Sequence, residues 1–160
     1  DNEGAAALLV AGAMGHVDMA RTLLKHGGRI GIKDAAGNSP LYYAAYYGHV
    51  RMVRLLLGAS AGVDTANDSG ATPLYIAAQN GWREVAALLL GHGADVNRSN
   101  LHGRTPLMAA CQGGHRLLAE SLLRAGADTT RVGKWGTAAE ELRLCNGDPQ
   151  LLRLVEPLQH

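Results

Sequence analysis

Leu-Leu pairs occur at 23–24, 56–57, 89–90 and 122–123, 33 residues apart each time. Each pair closes a stretch whose apolar residues recur three and four positions apart. Met52, Val53, Leu56 and Leu57 form one such stripe; Val85, Ala86, Leu89 and Leu90 form the next. That spacing gathers them on one face of a helix, with Arg51, Arg54, Arg83 and Glu84 on the other. A second kind of apolar stretch precedes each stripe. It has small residues at its centre: Ala44-Ala45, Ala77-Ala78, Ala110-Cys111. Ser39-Pro40, Thr72-Pro73 and Thr105-Pro106 open these stretches. The hydroxyl caps a helix start, and proline at the first helical position lacks an N–H that would be orphaned there anyway. Gly48, Gly81 and Gly114 mark their ends. The pattern predicts two helices per unit, the first over 5–15, 38–48, 71–81 and 105–114.

Gly4, Gly37, Gly70, Gly103 and Gly136 keep the same 33-residue period. The units are therefore 1–33, 34–66, 67–99 and 100–132, with a shorter fifth unit over 133–160 that has lost one residue after Gly136. Gly37, Gly70 and Gly103 suit the positive φ of a tight turn. Gly27, Gly93 and Gly126 end the second helices, and Ser60 takes that place in the second unit at some cost in stability. A chain of this kind stacks unit on unit and builds a surface, seldom a catalytic pocket.

The ends depart from the pattern. The first unit has Ala6-Ala7 where Thr-Pro is expected, and nothing ahead of it covers its apolar helix. The chain therefore reads as the C-terminal part of a longer array. The last unit places Glu140, Glu141, Arg143 and Arg153 on a polar, solvated side that suits a terminal cap. Pro157 is expected to end its last helix.

The repeated motif, D/N-x-x-G-x-T-P-L-x-x-A-A-x-x-G-H followed by Leu-Leu and G-A-D-V-N, resembles the ankyrin repeat and covers essentially the whole chain. The resemblance implies a single all-α solenoid domain over 1–160, of helix–turn–helix units joined by β-turn or hairpin loops. It also implies a concave groove, lined by first helices and hairpin tips, that binds other proteins. The family's His after T-P-L is replaced by Tyr42, Tyr75 and Met108, which removes a hydrogen-bonding side chain from the turn network.

Composition and charge narrow the reading. The chain has 160 residues, 47% of them hydrophobic, and a net charge of +1 with no block of like charge. Non-specific nucleic-acid binding needs concentrated Lys and Arg, and these are absent. No run of about 18 apolar residues could span a bilayer, and no signal peptide is visible at the start. Two cysteines do not make a disulfide scaffold; Cys111 falls where Ala45 and Ala78 stand and reads as a small core residue. A reducing compartment, cytoplasmic or nuclear, fits. His16, His49 and His115 follow the repeat and not the spacing of a metal site, so neither metal nor cofactor is expected. No nucleophile has a histidine and an acid at fixed reach, so no enzyme is expected.

The charges also separate. The first helices carry no Asp, Glu, Lys or Arg, whereas the second carry Arg21, Lys25, Arg51, Arg54, Arg83, Glu84, Arg116, Glu120 and Arg124. An uncharged groove favours a partner read by apolar contact and neutral hydrogen bonds. Four adjacent tyrosines, Tyr42, Tyr43, Tyr46 and Tyr47, cannot share one helix face. Tyr42 supports the turn and Tyr43 packs like Ile76. Tyr46 and Tyr47 have no such duty and are candidate contact residues, with incidental surface exposure as the alternative. Gln79, Asn80 and Gln112 hold the same outward positions. The tips add Asn38, Leu101, His102 and Arg104; Leu101 either meets a partner or packs on the neighbouring hairpin. Trp82 replaces the recurrent His and either covers the groove edge or packs. Leu89, Asp95, Val96 and Asn97 are similar to the pattern at which asparagine is hydroxylated in other ankyrin repeats; the favoured alternative is that Asn97 ties its hairpin together. The expected function is a monomeric, non-catalytic module for a protein or peptide partner. The competing expectations are a regulatory or ligand-sensing array attached to an enzyme and a substrate-recruiting adaptor of a ubiquitin ligase.

Overall fold

The computed structural model describes residues 2–144 and 147–156, and in these the chain forms ten helices and no strand. They are α1 (Asn2–Met14), α2 (Val17–Lys25), α3 (Pro40–Tyr46), α4 (Val50–Gly58), α5 (Pro73–Asn80), α6 (Arg83–Gly91), α7 (Pro106–Gln112), α8 (Arg116–Arg124), α9 (Ala138–Leu144) and α10 (Pro149–Val155). Successive pairs stack in two layers. The first helices α1, α3, α5, α7 and α9 pack in order, and α2, α4, α6, α8 and α10 pack behind them. The expected all-α solenoid is what forms.

The local signals act as read. Ser39 and Thr72 accept hydrogen bonds from the N–H of Tyr42 and Tyr75, each at 3.1 Å, and Thr105 accepts from Met108 at 3.3 Å. Each turn before these caps is held by one side chain. The Oδ1 of Asp34 accepts from the N–H groups two and four residues on, both at 2.9 Å; Asn67 and Asn100 repeat this arrangement. Gly81 closes α5 in the left-handed region, at φ 78°. Ser60 is forced there too, at φ 66°, the strain its sequence position implied.

The small pairs Ala44-Ala45, Ala77-Ala78 and Ala110-Cys111 at the centre of α3, α5 and α7 are buried, and their size lets adjacent first helices approach closely. Leu41, Leu74 and Leu107 fill the layer beneath the caps, and Leu56, Leu89 and Leu122 the space between layers. Each such leucine contributes about 1.5–3 kcal/mol by leaving water.

Two expectations change. α1 begins at Asn2, not at residue 5, and takes Gly4 into the helix. Without Ser/Thr-Pro to start it, the alanine-rich segment winds on upstream. Glu141 is not on a solvated face but buried. The residue lost after Gly136 shifts the register, so Glu141 takes the place of Ile76 and Ala109, which face the preceding unit. Glu140 does stay exposed and completes a cap: its Oε2 accepts from the Thr137 N–H at 2.7 Å. Pro157 lies outside the described residues.

Candidate functional site: the groove face and the hairpin tips

The α3 register buries Leu41, Tyr42, Ala44 and Ala45 and turns the end of the helix outward. Tyr46 and Tyr47 are therefore 42% and 49% exposed. Their rings meet edge to face with centroids 4.8 Å apart, and Tyr47 stacks on His49 at 6.0 Å. The result is a small aromatic platform of rings in contact.

Trp82 joins this platform from the following unit. Its Nε1–H donates to the Tyr46 carbonyl at 2.9 Å, and its ring lies so close over Gly48 that a Cβ there would meet it at 2.6 Å. The recurrent histidines make the same link between units. His49 Nε2 lies 2.9 Å from the Ala13 carbonyl and His115 Nε2 3.0 Å from the Gln79 carbonyl. A carbonyl only accepts, so these nitrogens carry the proton. Tryptophan thus keeps the inter-unit hydrogen bond of the histidine it replaces, and adds exposed aromatic area. Asn80 Nδ2 donates to the same Tyr46 carbonyl at 3.1 Å.

The other candidates divide into engaged and open. Asn38 is engaged. Its amide donates to Asp34 Oδ2 at 3.1 Å and accepts from Asn67 Nδ2 at 3.0 Å. Tyr43 also ends in this network, its hydroxyl donating to Asp34 at 2.6 Å. Burial pulls the Asp34 carboxyl upward, but the bonds from Tyr43, Asn38 and Ala36 outweigh it and hold the group below its ordinary value. The bond to Asp34 pushes the Tyr43 hydroxyl the other way, with burial adding to it.

Arg104 is engaged too. Its Nη2 donates to the buried Glu141 at 2.9 Å and to Gln112 at 2.5 Å. The charge of Arg104 is thereby countered from α9. Arg104 Nε and Glu141 Oε1 are buried without a partner among the described residues. Gln79 and His102 are exposed, with no side-chain hydrogen bond or ion pair among the described residues, and Leu101 is 75% exposed, its Cγ 3.1 Å from where a Cβ on Gly70 would stand. Asn97 links its hairpin to the next unit, accepting from the Asp128 N–H at 2.8 Å and donating to the Gly126 carbonyl at 3.2 Å.

Reading the sequence missed Val132 and Trp135, both large, apolar and exposed at the last tip. Alignment on Gly136 carried the signal, since Lys134 and Trp135 take the places of Leu101 and His102.

Cys111 is buried, and burial, with Glu141 nearby, pushes its thiol up to about 12, so no thiolate forms near neutrality. Among the described residues no three metal-binding side chains converge, and no helix is long and apolar enough to cross a membrane. Arg21, Arg51 and Arg54 line a shallow cleft between α2 and α4.

A family model described as ankyrin repeats in three copies matches residues 1–66 and 58–132. No curated protein matches the chain.

Proposed function

The chain belongs to the ankyrin-repeat family, whose members are generally protein-interaction modules, and from that premise we propose that it holds a partner protein or peptide in its concave groove. The observation that carries this reading is the paired exposure of Tyr46 and Tyr47 at the end of α3, on a face where the charge of Arg104 is countered by Glu141. Such a face offers aromatic area with little rotamer entropy to lose, and neutral amides at Gln79 and Gln112 to fix orientation. A partner segment of low charge suits it, because a charged group would lose hydration without meeting an opposite charge. In this reading the chain acts without catalysis, as a monomer, in the cytoplasm or nucleus.

Tyr46→Ala with Tyr47→Ala tests it. Both rings are largely exposed, so the circular dichroism spectrum is expected to stay as it is. Recovery of bound partners from a cell extract is expected to fall about tenfold or more, the loss typical of truncated aromatic anchors. Undiminished recovery would move the site away from α3.

A further inference from the structure

The last two hairpin tips carry three large exposed apolar side chains: Leu101, Val132 at 70% exposure and Trp135 at 56%. A single exposed apolar residue needs no explanation, but a group on adjoining turns does. These turns adjoin through their backbones. The Lys134 N–H donates to the His102 carbonyl at 2.9 Å. Gly103 lies so close to the next tip that an added Cβ would stand 3.2 Å from the Gly133 Cα.

A free cation sits in the patch. The Lys134 ammonium lies 4.9 Å from the centre of the Trp135 ring, and no described carboxylate forms an ion pair with it. The nearby acids are committed elsewhere. Glu140 caps Thr137, Glu141 holds Arg104, and Asp128 meets Thr130 and Arg131.

The tips also form a ladder. The carbonyls of Ala36, Ser69 and His102 accept from the N–H groups of Asp68, Leu101 and Lys134 at 3.0, 3.0 and 2.9 Å. One more step of the repeat reaches the Trp135 carbonyl, to which no described group donates.

We propose that this edge binds an extended segment of a partner protein that carries a large apolar side chain beside a carboxylate. The apolar side chain covers Leu101, Val132 and Trp135, the carboxylate faces Lys134, and a backbone N–H continues the ladder onto Trp135. Main-chain hydrogen bonding selects the extended conformation, apolar contact supplies affinity, and the carboxylate selects among sequences. The site is distinct from the Tyr46–Tyr47 platform and stands without it.

The test is selection of a random peptide library on the full chain, with fluorescein-labelled copies of the enriched peptides then titrated by anisotropy. Enriched sequences are expected to share an aromatic or large aliphatic residue next to Asp or Glu. Trp135→Ala is expected to weaken them about tenfold or more. Lys134→Glu is expected to weaken them only a few-fold, since an exposed ion pair contributes little. Leu101→Ser provides a second exposed variant, and the Tyr46→Ala, Tyr47→Ala variant is expected to bind them unchanged. The proposal is overturned by failure to enrich any sequence, by enriched peptides without an acid, or by equal binding to Trp135→Ala and Leu101→Ser. Trp135-dependent sedimentation with phosphatidylserine vesicles would assign the patch to a membrane surface instead. A dimer in light scattering that Trp135→Ala abolishes would assign it to a second copy of the chain.

Discussion

Met19 and Met52 are the same residue at the same place in the repeat, yet Met19 is 39% exposed and Met52 fully buried. The next copies of this position, Val85 and Leu118, are buried as well. Val10 is exposed while its counterparts Ile76 and Ala109 are buried and Tyr43 is part-buried. The difference lies in what stands in front. α2 packs ahead of α4, α4 ahead of α6 and α6 ahead of α8, while no described element lies ahead of α2. A repeat therefore supplies only half of its core, and the neighbour supplies the rest. The last unit meets its neighbour by another means, with the Glu141 carboxylate set on Arg104 where its counterparts present apolar side chains.

Breaking that last contact is expected to have the largest effect. Arg104→Met strands the Glu141 charge in the interior, which costs about 3–5 kcal/mol for a buried pair that loses one partner. Adding Glu141→Leu is expected to restore most of the loss in urea unfolding. A small effect of the single change would mean that apolar packing alone docks α9. The methionines come next. Met52→Ala is expected to cost roughly 2–5 kcal/mol as a buried truncation, and Met19→Ala, already half in water, less than about 1 kcal/mol. Equal losses would refute the dependence of burial on the preceding unit. The smallest effect separates the second unit from its siblings. Ser60→Gly places glycine where the other units have it and is expected to raise stability by about 0.5–1 kcal/mol, read as a shift in the urea midpoint.

Much of the candidate site was legible in the residues. The end of α3 could be assigned to the surface because Tyr46 and Tyr47 have no packing duty in the repeat pattern. Trp82 was visible as a substitution for histidine, but its bond to the Tyr46 carbonyl was not, because that partner lies in another unit. Asn38 reads as an open tip residue in sequence, and only the stacked turns reveal Asn67 beside it. The single-residue loss after Gly136 was seen, whereas its consequence for Glu141 was not, since a charged pair at the start of a helix resembles a solvated face.

The sequence by itself determined the helices, their order and their period. Hydroxyl caps, prolines and left-handed glycines act within a few residues of themselves, so they can be read without knowing the fold. The tertiary structure alone decided which side chains remain available to a partner. Asn38 and Arg104 are drawn into bonds between units, while Leu101, Val132 and Trp135 stay exposed on turns that stacking brings side by side. Exposure in such an array belongs to a residue and its neighbours in space, and those neighbours are set by packing.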